Sequence, residues 1–132
     1  MQNKNKATVR RLWEEVWNDR DFDLVDEIMS PDYAEHERRF APWWLAAFPD
    51  TQFTVEEMIA EGDKVVTRLT FRGTHQGEYM DIPATDKQVE AKGVWIHRLA
   101  DGRIVEGKQW GFVDWLGLLR QLGAIVAPPA EE

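Results

Sequence analysis

Residues 94–110 read VWIHRLADGRIVEGKQW. Two apolar-rich runs flank Ala100-Asp101-Gly102, the pattern of a β-hairpin. The register matters because a slip of one residue exchanges the two faces of a strand. A two-residue turn sets Leu99 opposite Ile104 and His97 opposite Glu106. A three-residue loop with a left-handed Gly102 sets Leu99 opposite Arg103 and His97 opposite Val105. The second arrangement gathers Trp95, His97, Leu99, Val105 and Gln109 on one face. It leaves Val94, Ile96, Arg98, Ile104, Lys108 and Trp110 on the other. Two faces that each carry apolar residues suit a sheet with a pocket inside and a partner outside, so this register is the expected one.

Upstream, QFTVEEMIAEGDKVVTRLTFRGTH (52–75) holds two more strand-like runs around the turn EGDK, and QGEYMDIPATDKQ (76–88) reads as a Gly-, Pro- and Asp-rich loop. Before Asp50 the period changes from two to that of a helix. Val9, Leu12, Trp13, Val16 and Trp17 recur at helical spacing over 4–18, with Trp13 and Trp17 on one face. A short second helix is expected between Asp21, a plausible N-cap, and Pro31, read as its stop. DYAEHERRF is ambiguous, and a short third helix is expected from near Pro42 to before Pro49. DWLGLLRQLG forms a last amphipathic helix closed by Gly123, with Asp114 as its N-cap, and 124–132 a frayed tail. Helices first, then strands, then one helix make an α+β domain with an antiparallel sheet, one domain over 1–132.

With 132 residues, 43% of them hydrophobic, the chain is sized for one core. Sixteen basic residues against 24 acidic give a net charge of −8, which phosphate backbones repel; nucleic acid is not an expected partner. The absence of cysteine removes thiolate nucleophiles and Cys-based zinc sites. Ser30, the only serine, precedes Pro31 outside any nucleophile elbow, and no Gly-rich phosphate loop is present. His36, His75 and His97 lack metal-ligand spacing, so no metal is expected. No apolar h-region or bilayer-length run occurs, and the expected location is the cytoplasm.

GTHQG (73–77), IPATDK (82–87) and ADGRIVE (100–106), within a pattern running from VRRLWEEVWN to LRQLG, resemble the SnoaL-like polyketide cyclases of the nuclear-transport-factor-2-like superfamily. The resemblance implies a cone-shaped, curved antiparallel sheet wrapped around N-terminal helices (the cystatin-like arrangement), with an apolar pocket inside. It also implies cofactor-free ring closure by an intramolecular aldol step, in which a carboxylate removes a proton next to a carbonyl. In the family an aspartate precedes a tryptophan on the strand after the DG turn. Here Trp110 matches the tryptophan, and Gln109, which cannot accept a proton, stands in place of the aspartate. Shifting the alignment offers only Gly111 or Phe112. The segment from His36 to Phe48 is also shorter than in the family, so the pocket is either more open or filled by Trp43 and Trp44.

A base, if there is one, must therefore lie elsewhere. Glu35 and His36 fall where relatives carry a polar pocket residue; they read as a replacement base or as a solvated rim. His97 reads as a catalyst or as a hydrogen-bonded core histidine, and Asp114 as a base or an N-cap. Trp13, Trp17, Tyr33, Trp95 and Trp110 line the pocket or fill the core, and Gln109 would donate a hydrogen bond to a ligand oxygen. His75 belongs to a structural part of the family pattern. The expected activity is that of a cofactor-independent cyclase or isomerase acting on an apolar or aromatic small molecule. The alternative is a ligand-binding module that has lost the chemistry. A homodimer built on the outer sheet face is the expected assembly.

Overall fold

Period-two patterning from Gln52 onward becomes four antiparallel strands, β1 (Gln52–Glu61), β2 (Lys64–Thr74), β3 (Gln88–Ala100) and β4 (Arg103–Phe112), in the order β1-β2-β3-β4. The computed structural model describes residues 2–112 and 115–123; the side chains of 108–112 lie outside the described set. Along β3 burial alternates strictly, with Val89, Ala91, Gly93, Trp95, His97 and Leu99 turned inward. The curved sheet wraps its inner face around the helices that precede it, and the α+β reading holds.

Helix α1 (Gln2–Arg11) runs directly into a π-helical stretch, Leu12–Asn18. All five residues of the predicted apolar stripe are buried there. Hydrogen bonds to the fifth residue along widen the helix, so residues four apart stand nearly above one another, and both Trp13 and Trp17 face the sheet; such widenings recur at functional sites. A 3₁₀ turn (Phe22–Leu24) and the one-turn helix α2 (Val25–Ile28) follow. The Asp21 side chain makes no capping hydrogen bond.

The next segment departs from expectation. Instead of an ambiguous stretch and a short helix, residues Pro31–Ala47 form one 17-residue helix, α3, with Pro42 inside it. Pro31 starts this helix as well as following the previous one: Ser30 is its N-cap, its hydroxyl accepting from the Tyr33 N–H at 3.4 Å, and proline suits the first helical position. Pro42 costs one main-chain hydrogen bond on an exposed face, which packing of the buried stripe Ala34, Glu37, Ala41 and Trp44 offsets.

The hairpin register also differs. Leu99 pairs with Ile104 and Ala100 with Arg103 around a two-residue Asp101-Gly102 turn, so the three-residue loop is not formed. A bulge then inserts one residue into β4, and beyond it Arg98 faces Glu106, His97 faces Gly107 and Trp95 faces Gln109. Both turn residues have positive φ, 52° and 78°, as the tight hairpin turn requires. The consequence is that Ile104 points into the core, fully buried, and is not part of the outer face.

The 75–87 loop joins β2 to β3 and docks on the end of α3. His75 is fully buried: its Nδ1 accepts from the Thr85 N–H at 3.2 Å, and its backbone pairs with Lys87 and Asp86. The N–H groups of Gln76 and Gly77 donate to the Ala47 carbonyl at the end of α3. The structural reading of His75 fits these contacts. Helix α4 (Trp115–Gln121) packs on β3, with Gly123 left-handed (φ 80°) after it; Asp114 and the tail from residue 124 lie outside the described residues.

Candidate functional site: an aromatic chamber with a buried carboxyl

Between the sheet, the π-helical stretch and α3 lies a cavity of about 370 Å³. Apart from Leu12, two histidines and Glu37, every described lining residue is Trp, Tyr or Phe. Trp13 and Trp95 meet edge-to-face at 5.2 Å, and Trp13 meets Phe53 at 5.0 Å. Trp17 stands edge-on to Phe53 at 5.6 Å. Edge-to-face contacts of this kind fix ring orientation, so the wall is stiff rather than merely greasy. Trp43 and Trp115, 51% and 41% exposed, mark the mouth together with His36. The Trp115 Nε1–H donates to the Tyr79 hydroxyl at 3.2 Å, joining α4 to the 75–87 loop across the rim.

Trp43 and Trp44 line the chamber and do not fill it. Trp44 is buried, its Nε1–H held by Thr51 Oγ1 at 3.0 Å, and open volume remains in front of it.

Two glycines make room for the aromatic wall. A Cβ on Gly93 would stand 2.1 Å from the Trp95 ring, which lies across that position. A Cβ on Gly107 would stand 2.2 Å from the Tyr33 hydroxyl and 3.1 Å from His97 Cδ2. Both substitutions would force a shift of well-packed rings.

The chemistry concentrates on α3. Tyr33, Glu37, Phe40 and Trp44 project from its inner face into the lining, following helical spacing. Glu37 is only 6% exposed and sits 2.8 Å from the Trp17 Nε1–H, which donates to its Oε1. Burial pushes its carboxyl up to about 7, and the Trp17 hydrogen bond partly opposes that rise by favouring the ionised form. A carboxyl poised near neutrality inside an apolar chamber exchanges protons readily at physiological pH. Burial also drives the Tyr33 hydroxyl far above its ordinary range, with the neighbouring Glu37 charge adding to the effect.

Among the residues expected from sequence, Trp13, Trp17, Tyr33 and Trp95 all line the chamber. His36 is at the rim, stacked on Tyr33 with centroids 5.6 Å apart and planes 7° from parallel. Glu35 faces away, in a shallow outer groove, paired with Arg39 at 3.3 Å. His97 is inside, 1% exposed, and burial lowers it to about 4, so it is neutral at pH 7; its Nδ1 has no hydrogen-bond partner among the described residues. A base of that strength takes up little proton near neutrality. The backbone sets Gln109 opposite Trp95 and carries Trp110 next to it, but the side chains of both lie outside the described residues. Glu37 is the residue that sequence reasoning passed over. The signal was present: Ser30-Pro31 as cap and first helical residue carries the helix through 34, 37, 41 and 44 on one face.

Among the described residues no group of three or more His, Asp or Glu stands close enough together to hold a metal ion. No helix among them is long and apolar enough to cross a membrane.

Comparison with known proteins agrees with this geometry. The chain is 33% identical over 115 residues to the nogalonic acid methyl ester cyclase of Streptomyces nogalater, an alignment covering 76% of this chain and 84% of that one. It is 28% identical over 129 residues to an aklanonic acid methyl ester cyclase of Streptomyces peucetius, covering 87% and 88%. Among solved structures, a protein of Jannaschia sp. CCS1 provisionally assigned as a SnoaL-like polyketide cyclase superposes with a TM-score of 0.85 at 26% identity, covering 95% of each chain. TsrD of Streptomyces laurentii gives the same TM-score and identity over 95% of this chain and 98% of its own. The family model for SnoaL-like polyketide cyclases matches residues 7–122. On that match, which runs from within α1 through the whole sheet and α4, the chain belongs to the SnoaL-like polyketide cyclase family.

Proposed function

We propose that this protein closes a ring on a neutral, aromatic polyketide ester by a cofactor-independent intramolecular aldol step, with Glu37 as the acid/base residue. The observation that carries the reading is one carboxyl among the described lining residues, buried in an aromatic chamber and raised to about 7. The ionised Glu37 takes a proton from the carbon beside a carbonyl. The resulting enolate carbon attacks a second carbonyl of the same molecule, forming a carbon–carbon bond, and the new alkoxide takes the proton back from Glu37. Atoms balance without any co-reactant. Glu37 thus takes over the role that Gln109 cannot fill.

The lining supports an ester rather than a free acid as substrate. None of the described lining residues is Lys or Arg, so a substrate carboxylate would enter an apolar chamber unpaired and beside Glu37. The relatives from Streptomyces nogalater and Streptomyces peucetius are methyl ester cyclases, which agrees with that preference.

The test is turnover of a polyketide methyl ester by wild type, Glu37→Gln, Glu35→Gln and Gln109→Asp. Glu37→Gln is expected to lose about 10²–10⁴-fold in kcat, the usual contribution of a placed general base, while Glu35→Gln stays at wild-type rate. A Glu37→Gln protein with undiminished turnover overturns the reading. Wild-type protein that binds the ester tightly without turning it over, and gains turnover in Gln109→Asp, would instead mark a ligand-binding module that has lost its chemistry.

A further inference from the structure

Resting on the reading of Glu37 as base, we infer that Tyr33 is a second catalytic residue, whose hydroxyl donates a hydrogen bond to the substrate carbonyl oxygen as it becomes an enolate.

Three observations lead there. Tyr33 stands one turn before Glu37 on the inner face of α3, and both line the chamber, so a carbonyl oxygen and its α-carbon could face the two groups together. The ring is held on two sides, stacked on His36 and edge-on to His97 with centroids 6.1 Å apart. Its hydroxyl is fixed in place against the bare backbone of Gly107, where any Cβ would collide with it. Finally, the hydroxyl has no hydrogen-bond partner among the described residues. The buried indoles of Trp17 and Trp44 on the same wall both have one, and that of Trp13 has none among the described residues. A phenylalanine would pack the same rings, so packing alone does not account for an oxygen held in this position.

The electrostatics suit a donor. Burial and the Glu37 charge both resist ionisation of Tyr33, so it stays protonated beside a developing anion. When Glu37 takes the α-proton it becomes neutral and the negative charge moves to the enolate oxygen. The repulsion between Glu37 and the tyrosine oxygen disappears at that moment, and the hydroxyl then faces a strong acceptor. The interaction is therefore stronger in the transition state than in the ground state, which is the condition for raising kcat. It also explains how a carboxyl of moderate basicity removes a proton from carbon: the product of that step is held by a preplaced donor.

The experiment compares Tyr33→Phe and Glu37→Gln with wild type in kcat, KM, melting temperature and affinity for 2-naphthol, a planar hydroxyl compound that mimics the enol. Tyr33→Phe is expected to lower kcat about 10²-fold, the loss seen when one oxyanion donor is removed, with KM and melting temperature nearly unchanged and weaker naphthol binding. A Tyr33→Phe protein with wild-type kcat, while Glu37→Gln is inactive, overturns the role of Tyr33 and leaves that of Glu37 standing. A lowered melting temperature accompanied by a raised KM and unchanged kcat also overturns it, since that is the signature of packing. If Glu37→Gln turns over normally, the base reading fails; Tyr33 is then upheld only by its own loss in kcat together with weaker naphthol binding, and is overturned without them.

Discussion

The Trp17 indole N–H donates a 2.8 Å hydrogen bond to Glu37 Oε1, linking the π-helical stretch to α3 across 20 residues of sequence. The bond has two opposing consequences. It makes burial of the carboxyl tolerable by giving its oxygen a partner, and it holds the carboxyl below the value that burial alone would impose.

Removing that donor is expected to weaken the acid and shift the pH profile. In Trp17→Phe the acidic limb of the kcat profile, which reports ionisation of Glu37 in the complex, should move above about 7, toward alkaline pH. Steady-state rates across the pH range check this; a limb that stays put or moves toward acid separates Trp17 from the titration of Glu37.

Glu37 and His97 should give stability opposite pH slopes. Glu37 is raised from 4.5 to about 7, so between those values the folded protein keeps a proton that the unfolded chain has released, and stability falls as pH rises. His97 is lowered from 6.5 to about 4, so its contribution is complete above 6.5 and is lost as pH falls toward 4. The two nearly cancel in wild type between about 4.5 and 6.5. Urea unfolding across this window should show Glu37→Gln gaining stability as pH rises and His97→Asn losing it, each by up to about 3 kcal/mol.

Gly107→Ala is expected to destabilise by about 1–3 kcal/mol, because the new methyl meets the Tyr33 hydroxyl and ring carbon at 2.2 and 2.9 Å. Combining it with Tyr33→Phe removes the nearer contact. The double variant should therefore recover part of the loss, a non-additivity measurable by thermal unfolding.

A homodimer remains the expected assembly, now on a different set of residues. Ile59, Val66 and Ile96 are successive register partners across β1, β2 and β3 and form an apolar row on the outer face; Ile59 is 57% exposed. Light scattering should give a dimer mass for wild type and a monomer for Ile96→Glu.

How far the sequence could be read depended on whether a pattern was uninterrupted. The strict alternation of β3 and the stripe from Val9 to Trp17 announced their buried faces, and both are buried as read. Pro42 obscures the length of α3 in the sequence: a proline on an exposed helix face removes one hydrogen bond, whereas the buried stripe on the opposite side runs from Ala34 to Ala47. Splitting that helix hid Glu37, whose inward direction follows only from an unbroken helix starting at Ser30. The hairpin failed for a different reason. An inserted residue in β4 leaves no mark on composition, so two locally correct alternations belong to registers that differ by one.

That inserted residue also determines which chemistry the chamber contains. Past the bulge, Gly107 and Gln109 fall opposite the inward-facing His97 and Trp95, while Glu106 falls opposite Arg98 and pairs with it at 3.2 Å. Pairing without the bulge, in the register that Leu99 and Ile104 set, would reverse this parity, bringing Glu106 opposite His97 and Lys108 opposite Trp95. Glu106 and Lys108 would then hold the pairing positions that Gly107 and Gln109 hold, without a single substitution. One sequence therefore offers two pairings of β4 against β3, and the bulge, rather than the identity of any residue, selects between them.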